Sequence, residues 1–293
     1  MAKTIQESFQ ALRSNLEITS LQASTVSTRQ QNVRQVVEAG MTVLDSFLTG
    51  SYARSTMIAP LSEADIDVFV VLDAKYFHHY NKQNGNQAGL LDLLKRTLQK
   101  TYTRTPDISR NGQAVTIRFE DFVVDVVPSF HRMNDGFLIP NSITGTWLST
   151  DPKKHVELFA AANKTHNQNL VPLIKMIKGW NKSNGSYFRS FHLEVLALVI
   201  LQGVTISDFP SGTRFYFDRA RGLIKQQVLD PAGYGDDVGK YINTRERIEE
   251  GERRFQTAYD RALKAESLAS QGRTADAVAI WRQVFGDYFP AYG

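Results

Sequence analysis

Short runs of β-branched and aromatic residues dominate the stretch between residues 41 and 130. Four of them read MTVLDSFL, DIDVFVVL, AVTIRF and FVVDVVPSF, and each is bounded by polar or glycine-containing segments. Runs of this length and composition predict strands of one sheet. A helix is predicted near 87–101, and the pair Asn111-Gly112 predicts a hairpin between two strands. The central region is therefore predicted to be mixed α/β.

The flanking regions have helical periodicity instead. Apolar residues recur at three- and four-residue spacing over 4–39, in several segments after 150, and in a helical pair over 244–285. The glycine-rich stretch 208–243 predicts loops and short elements. We therefore predict an α/β (α+β) chain with a mixed-sheet lobe at 40–148 and a helical lobe formed by 1–39 plus 149–293.

Composition limits the kinds of site and partner. The chain has no cysteine, which excludes disulfides and thiolate metal sites and favours oxygen-bound Mg²⁺, Mn²⁺ or Ca²⁺. The N-terminus lacks an apolar signal run and no segment has the roughly 20 apolar residues of a membrane span, so we expect a cytoplasmic protein without a membrane partner. A net charge of +4 suits phosphate ligands but argues against a large permanent nucleic-acid surface.

Two acidic residues stand at the start of the second apolar run. Asp65 and Asp67 are separated by one residue, so in a strand both carboxylates project from the same face. Like charges at this spacing repel unless a divalent cation neutralises them, and carboxylates are the oxygen ligands that Mg²⁺ prefers. The alternative is a solvated strand entrance that happens to carry two acids.

A third carboxylate lies inside the run FVVDVVPSF. Asp125 is surrounded by four valines, and burying a carboxylate without a partner costs several kcal/mol. A third metal ligand on a neighbouring strand explains it economically. The alternative is a buried aspartate satisfied by backbone amides or by Arg118. Three such carboxylates can hold two Mg²⁺ ions about 4 Å apart.

The dipeptide Gly50-Ser51 follows the first run. Glycine allows the backbone to approach a phosphate closely, and Ser51 with the amides of a following helical turn can donate to its oxygens. Gly-Ser pairs are common in loops, so the position carries the argument: thirteen residues separate Ser51 from Asp65, enough for a turn and a second strand to bring the two together.

With these motifs, GSYARSTMI followed by IAPLSEADIDVFVVL, the sequence resembles the polymerase-β nucleotidyltransferase superfamily and, within it, the CD-NTases. These are bacterial cyclic-oligonucleotide synthases related to cyclic GMP-AMP synthase and oligoadenylate synthase. The resemblance implies a nucleotidyltransferase lobe packed against a helical lobe with the active site in the cleft between them. Asp65, Asp67 and Asp125 are then the catalytic metal ligands, Gly50 and Ser51 bind nucleotide, and two Mg²⁺ ions are the cofactors, with Mn²⁺ as a substitute.

The helical lobe adds LIKMIKGWNKSNG and FRSFHLEVLAL, which are similar to the family's Lys-x-Trp helix and Ser-aromatic-His-Leu-Glu motif. By this resemblance Lys178 touches the triphosphate, Ser190 hydrogen-bonds it, and Phe191 stacks on a base in place of the family's tyrosine. From the residues alone, Lys178 is equally a solvated lysine, and Phe191 fits a core position.

The resemblance implies that ATP and other nucleoside triphosphates are joined into a cyclic di- or trinucleotide with release of pyrophosphate. It also implies a setting in bacterial antiphage (CBASS) signalling, with a separate effector activated by the messenger. Alternatives are a nucleotidyltransferase that modifies a protein, a small molecule or an RNA end, and a catalytically silent nucleotide-binding regulator.

The chain ends in PAYG. In some CD-NTase systems, ubiquitin-transfer-like accessory enzymes join the synthase's last residue to another molecule, and Gly293 suits that chemistry. The alternative is a tag remnant or a frayed end.

Overall fold

The protein divides into two compact units in a computed structural model that describes residues 3–104 and 107–293. One unit spans Ile18–Val156. The other combines the described residues up to Glu17 with Glu157–Gly293. Among the residues described, every helix is too short or too polar to cross a membrane.

The first unit is built on a mixed sheet of seven strands among its described residues. The strands are β1 (Val43–Thr49), β2 (Asp65–Leu72), β3 (Asp107–Asn111), β4 (Ala114–Arg118), β5 (Val123–His131), β6 (Phe137–Asn141) and β7 (Thr146–Thr150). Their order is β1-β2-β5-β4-β3, and β6 joins β5 to β7. Only the central pair β2 and β5 is parallel among the paired strands described.

Helices cover one face of this sheet. They are α2 (Ser20–Gly40) and α5 (Asn86–Thr101), and the unit also contains the shorter α3 (Gly50–Ala53), α4 (Ala74–Tyr80) and a 3-10 turn at Leu61–Glu63. The main core takes alternate residues of β2 and β5, among them Ile66, Val68, Val124 and Val126, together with apolar residues of α2 and α5. Because side chains alternate along a strand, the intervening residues of β2 and β5 point to the opposite face.

The second unit is helical. Its helices are α1 (Ile5–Asn15), α7 (Leu170–Ser183), α8 (Ser190–Leu201), α9 (Phe209–Leu223), α10 (Arg245–Ser270) and α11 (Thr274–Phe285), with a 3-10 turn at Gly286–Tyr288. The connecting helix α6 (Pro152–Thr165) begins in the sheet unit and ends in this one. Aromatic side chains fill its interior: the ring centroids of Phe188 and Phe255 are 4.5 Å apart, and those of Phe9 and Trp281 are 4.9 Å apart.

The mixed α/β prediction is confirmed, including the helix near 87–101 and the hairpin, whose Gly112 has φ +60°. Two details differ. The sheet unit takes in α2, which was predicted to belong to the helical lobe, because Val26, Val33 and Val37 are buried in the sheet's core. The unit boundaries therefore lie near 18 and 156 rather than 40 and 148.

The prediction of loops over 208–243 is wrong for its first half. Helix α9 begins after Asp208, whose carboxylate accepts from the backbone N–H of Ser211 at 2.8 Å and so caps the helix. Its glycines do not prevent the helix, because the burial of Tyr216, Phe217 and Ala220 outweighs their low propensity. Gly212 also allows close packing, since a Cβ there would lie 3.3 Å from Leu173.

Candidate active site

Asp65, Asp67 and Asp125 lie on one face of the two central strands. In the parallel pairing of β2 with β5, Asp67 is the register partner of Asp125, and Asp65 is the partner of Val123. Adjacent strands lie about 4.8 Å apart. The neighbouring Ile66 and Val124 are buried in the core, so the three acidic side chains project from the opposite face. Asp65 is exposed, whereas Asp67 and Asp125 are half-buried.

Gly50 lies directly against Asp67. Thr49, the last residue of β1, is the register partner of Asp67 across the antiparallel pair. Gly50 follows with φ +65°, and a Cβ built on it would lie 1.7 Å from Oδ2 of Asp67. No side chain fits there without moving the carboxylate. The glycine is therefore needed both for the left-handed backbone and for the close approach.

Ser51 follows in the short helix α3, and its backbone holds the next turn closed. Its carbonyl oxygen accepts hydrogen bonds from the backbone N–H groups of Thr56 at 2.9 Å and Met57 at 3.1 Å. The turn after β1 is thus folded back on itself beside the start of β2. The structure brings together all five candidate residues of the sheet unit, as the thirteen-residue spacing allowed.

Asp125 is held by a hydroxyl from the next strand. Thr116 on β4 is its register partner, and the Thr116 hydroxyl donates to Oδ1 of Asp125 at 2.5 Å. The alternative partner considered from the sequence, Arg118, instead donates to Asp107 at 3.1 Å. The Arg118 explanation for a carboxylate in this strand is therefore wrong.

The acidic residues influence one another electrostatically. Loss of hydration, followed by the negative charge of Asp125, raises the pKa of the Asp65 carboxyl above its ordinary value, and the charge of Arg118 opposes this rise. Carboxylates that raise each other's pKa favour a bound cation or proton.

The fit to a metal ion is good at the level of the strands and incomplete at the level of the side chains. Across residues 3–104 and 107–293, no three Asp, Glu or His side chains stand ready to hold an ion. One oxygen of Asp125 is turned toward Thr116, and Asp67 lies over Gly50. Because all three acids share a face and adjoining strands, side-chain rotation is the change needed to form an oxygen-ligand set that suits Mg²⁺ or Mn²⁺.

Lys178 lies on α7 in the helical unit, where it is buried. Its ammonium is 5% exposed and donates at 2.9 Å to Glu194 of α8, whose side chain is fully buried. The alternative of a solvated lysine is wrong. Trp180, two residues on, is a core residue as expected.

Ser190 and Phe191 form the first turn of α8. Ser190 is exposed and Phe191 is half-buried, whereas the next two residues are buried in the core. The turn is held by Tyr241, whose hydroxyl accepts from the backbone N–H of Arg189 at 2.8 Å. The same hydroxyl lies 3.1 Å from Nδ1 of His192, and burial lowers the pKa of His192 to about 4, so its ring is neutral at pH 7.

Two polar residues at these positions were not assigned a role from the sequence. Glu194 had a signal, because a glutamate inside the apolar helix SFHLEVLALVIL requires a buried cation. Thr116 had almost none: a threonine is ordinary in a strand, and only the register of β4 with β5 places its hydroxyl on Asp125.

The profile of one protein family, the Second Messenger Oligonucleotide or Dinucleotide Synthetase domain, matches residues 3–163. A curated relative, a cyclic AMP-AMP-AMP synthase of Acinetobacter, is 24% identical over 98% of this chain and 86% of its own length.

Solved structures confirm the fold. The structure of CdnC from E. coli MS115-1 with ATP has a TM-score of 0.78 at 18% identity and covers 98% of this chain and 99% of that one. The DncV cyclic AMP-GMP synthase of Vibrio cholerae has a TM-score of 0.69 at 16% identity, over 97% and 87% of the two chains. The predicted resemblance to the CD-NTases is confirmed, and this chain belongs to the family of second messenger oligonucleotide or dinucleotide synthetases.

Proposed function

We propose that this protein joins nucleoside triphosphates into a cyclic di- or trinucleotide second messenger and releases pyrophosphate. The observation that carries the proposal is the register of β2 with β5, which sets Asp67 beside Asp125 on the face that the core does not use. Family membership supports the reaction class.

Asp65, Asp67 and Asp125 are the proposed ligands of two Mg²⁺ ions, with Mn²⁺ as a substitute. When bound, such ions lower the pKa of an attacking hydroxyl and neutralise charge on the departing pyrophosphate. The chain's own contribution is to hold three carboxylates on adjoining strands of a rigid sheet. Asp125 is further fixed by its hydrogen bond from Thr116.

The triphosphate and the base are proposed to be bound by the other candidate residues. Gly50 and Ser51 offer backbone and hydroxyl donors beside Asp67. Ser190 is exposed and can donate to a phosphate oxygen, and the half-buried ring of Phe191 offers a surface on which a base can stack. Lys178 is proposed to act on the triphosphate from its place beside Glu194, which sets the position of its charge.

ATP is the first substrate to test. The Acinetobacter relative is named for a product made of three AMP units, and the E. coli neighbour was solved with ATP. Incubation with each labelled ribonucleoside triphosphate and MgCl₂, followed by phosphatase treatment and mass spectrometry, identifies the product. A phosphatase-resistant cyclic product formed without any added acceptor is the expected result.

The variant Asp65→Asn with Asp67→Asn is the control for that experiment. It should form no product, because one amide oxygen cannot replace a charged ligand. Pyrophosphate release that survives in this variant contradicts the assignment of the site. A product that appears only with an added protein or RNA acceptor favours the acceptor-dependent transferase, and no turnover at all favours a silent regulator.

The biological setting that we propose is cytoplasmic antiphage (CBASS) signalling, in which the messenger activates a separate effector. Ubiquitin-transfer-like accessory enzymes are proposed to act on Gly293. Nearby, Phe289 is buried against Phe9 and Phe285, whereas Tyr292 is 48% exposed, so the last residues extend from an anchored aromatic group. Appending residues after Gly293 should abolish conjugation in cells, and unchanged conjugation rejects this part of the proposal.

A further inference from the structure

The hydrogen bond from Thr116 to Asp125 links two neighbouring strands at the centre of the acidic site. Its length is 2.5 Å, and the acceptor is Oδ1. Within residues 3–104 and 107–293, no other side chain donates to this carboxylate. One oxygen is thereby occupied, and the other is left for a cation.

The donor is held in a fixed place. Thr116 is 2% exposed, and its neighbours Val115 and Ile117 are fully buried in the main core, so β4 cannot shift locally without disturbing the core. A β-branched side chain has few rotamers available in a strand, which also fixes the direction of its hydroxyl. A hydrogen bond to an ionised acceptor is stronger than one between neutral groups.

Asp125 is therefore flanked by two different neighbours in one row of the sheet. Thr116 lies on one side, and the carboxylate of Asp67, its register partner on β2, lies on the other. Repulsion between the two carboxylates turns Asp125 away from the position in which both could hold one ion, unless a donor fixes it.

We infer that Thr116 is a positioning residue that sets the orientation of the Asp125 carboxylate for cation binding. The inference rests on the proposed function, because it requires Asp125 to be a metal ligand. Partners that orient metal ligands commonly change metal affinity or activity by about 10- to 100-fold when they are removed.

The test is a titration of Mn²⁺ into metal-free full-length protein without nucleotide, with free Mn²⁺ measured by electron paramagnetic resonance. Thr116→Val removes the donor and keeps the shape, and it should weaken Mn²⁺ binding by about 10-fold. Thr116→Ser keeps the donor and should bind close to the parent. The Mg²⁺ concentration needed for half-maximal turnover should shift in the same way.

Thr97→Val is the matched control, because Thr97 is also a buried threonine of the sheet unit but donates only to the backbone oxygen of Leu93. It should bind Mn²⁺ as the parent does. Should Thr116→Val lose the native circular dichroism spectrum, Thr116→Ala is compared with Thr116→Ser in the same titration, with the same expected difference.

Unchanged Mn²⁺ affinity in Thr116→Val, or equal weakening in the serine variant, overturns the inference. Asp67→Asn separates this outcome from failure of the proposed function. If the parent binds Mn²⁺ no better than Asp67→Asn, the metal site itself is rejected. If binding depends on Asp67 but not on the Thr116 hydroxyl, only the positioning role is rejected.

Discussion

Two regions of this protein place charge among apolar residues, and they do so in opposite ways. In the helical unit, Glu194 and Lys178 are both buried and neutralise each other over 2.9 Å. In the sheet unit, Asp67 and Asp125 occupy register positions on adjoining strands, so charges of the same sign are brought together. One region is complete within the fold, whereas the other gathers negative charge.

The difference separates stability from function. A buried pair of opposite charges is disrupted when one partner is removed, because the remaining charge has lost its compensation. A row of like charges gains from losing one of its members or from acquiring a cation. The two regions should therefore respond to neutralising substitutions with opposite signs.

The largest expected change is in the buried pair. Glu194→Ala should lower the free energy of unfolding by about 3–5 kcal/mol, because it removes the carboxylate to which the buried Lys178 ammonium donates. Urea denaturation measures this loss, and combining Glu194→Leu with Lys178→Met should restore most of it.

An exposed pair provides the control for this prediction. Glu249 pairs with Arg245 on the surface of α10, and Glu249→Ala should cost less than about 0.5 kcal/mol. A loss for Glu194→Ala as small as the loss for Glu249→Ala shows that the buried pair does not stabilise the helical unit as we describe.

The next change concerns the glycine against the acidic row. Gly50→Ala should lower stability by about 1–2 kcal/mol through its positive φ, and it should also displace Asp67, which a Cβ would meet at 1.7 Å. Pyrophosphate release should fall by at least about 100-fold, which corresponds to about 3 kcal/mol of lost transition-state stabilisation.

Gly145→Ala separates the two effects. Gly145 has φ +68°, and a Cβ on it meets no atom within 4 Å, so the variant has the same backbone strain without a contact. It should lose similar stability and keep its turnover. Equal turnover in the two alanine variants contradicts the need for close approach between Gly50 and Asp67.

A smaller change should come from cation binding. At a Mg²⁺ concentration ten times the dissociation constant, the parent should gain about 1.4 kcal/mol of stability, because the ion binds only the folded state. Asp67→Asn should lose this gain. Asp45→Asn should keep it, since Asp45 pairs with Lys153 at 2.8 Å. Thermal melting with and without MgCl₂ measures all three, and an equal gain in Asp67→Asn rejects the metal site.

The smallest effect is expected for Asp65→Asn. The raised pKa of the Asp65 carboxyl means that the folded state holds the proton more tightly than the unfolded state does. Stability therefore falls as the pH rises from the ordinary carboxyl value, near 4, through the raised value. The asparagine variant lacks this loss.

At pH 7 Asp65→Asn should be as stable as the parent or more stable, by at most a few tenths of a kcal/mol, because solvent screens this exposed group. The difference should disappear near pH 4, where the parent carboxyl is largely protonated. Urea denaturation at the two pH values checks this, and a variant clearly less stable than the parent at pH 7 contradicts the like-charge description of the acidic row.

Much of the sheet unit could be predicted from local patterns. Alternating and β-branched runs predicted β1, β2, β4 and β5 because a strand's two faces have different surroundings, and Asn-Gly predicted the hairpin at 111–112. The short strands β6 and β7 were not predicted, since five-residue strands containing proline and tryptophan have weak patterns. Helix α9 was missed because its glycines suggested loops.

The sequence by itself determined which residues are acidic, that Asp65 and Asp67 share a face, and which family the motifs resemble. Only the tertiary structure decided that β5 lies parallel to β2, that Asp67 therefore meets Asp125, that Thr116 holds Asp125, and that Lys178 is buried against Glu194. Local patterns report on side-chain alternation and backbone preference. Contacts between residues far apart in the chain depend instead on strand register and helix packing, which only the folded core fixes.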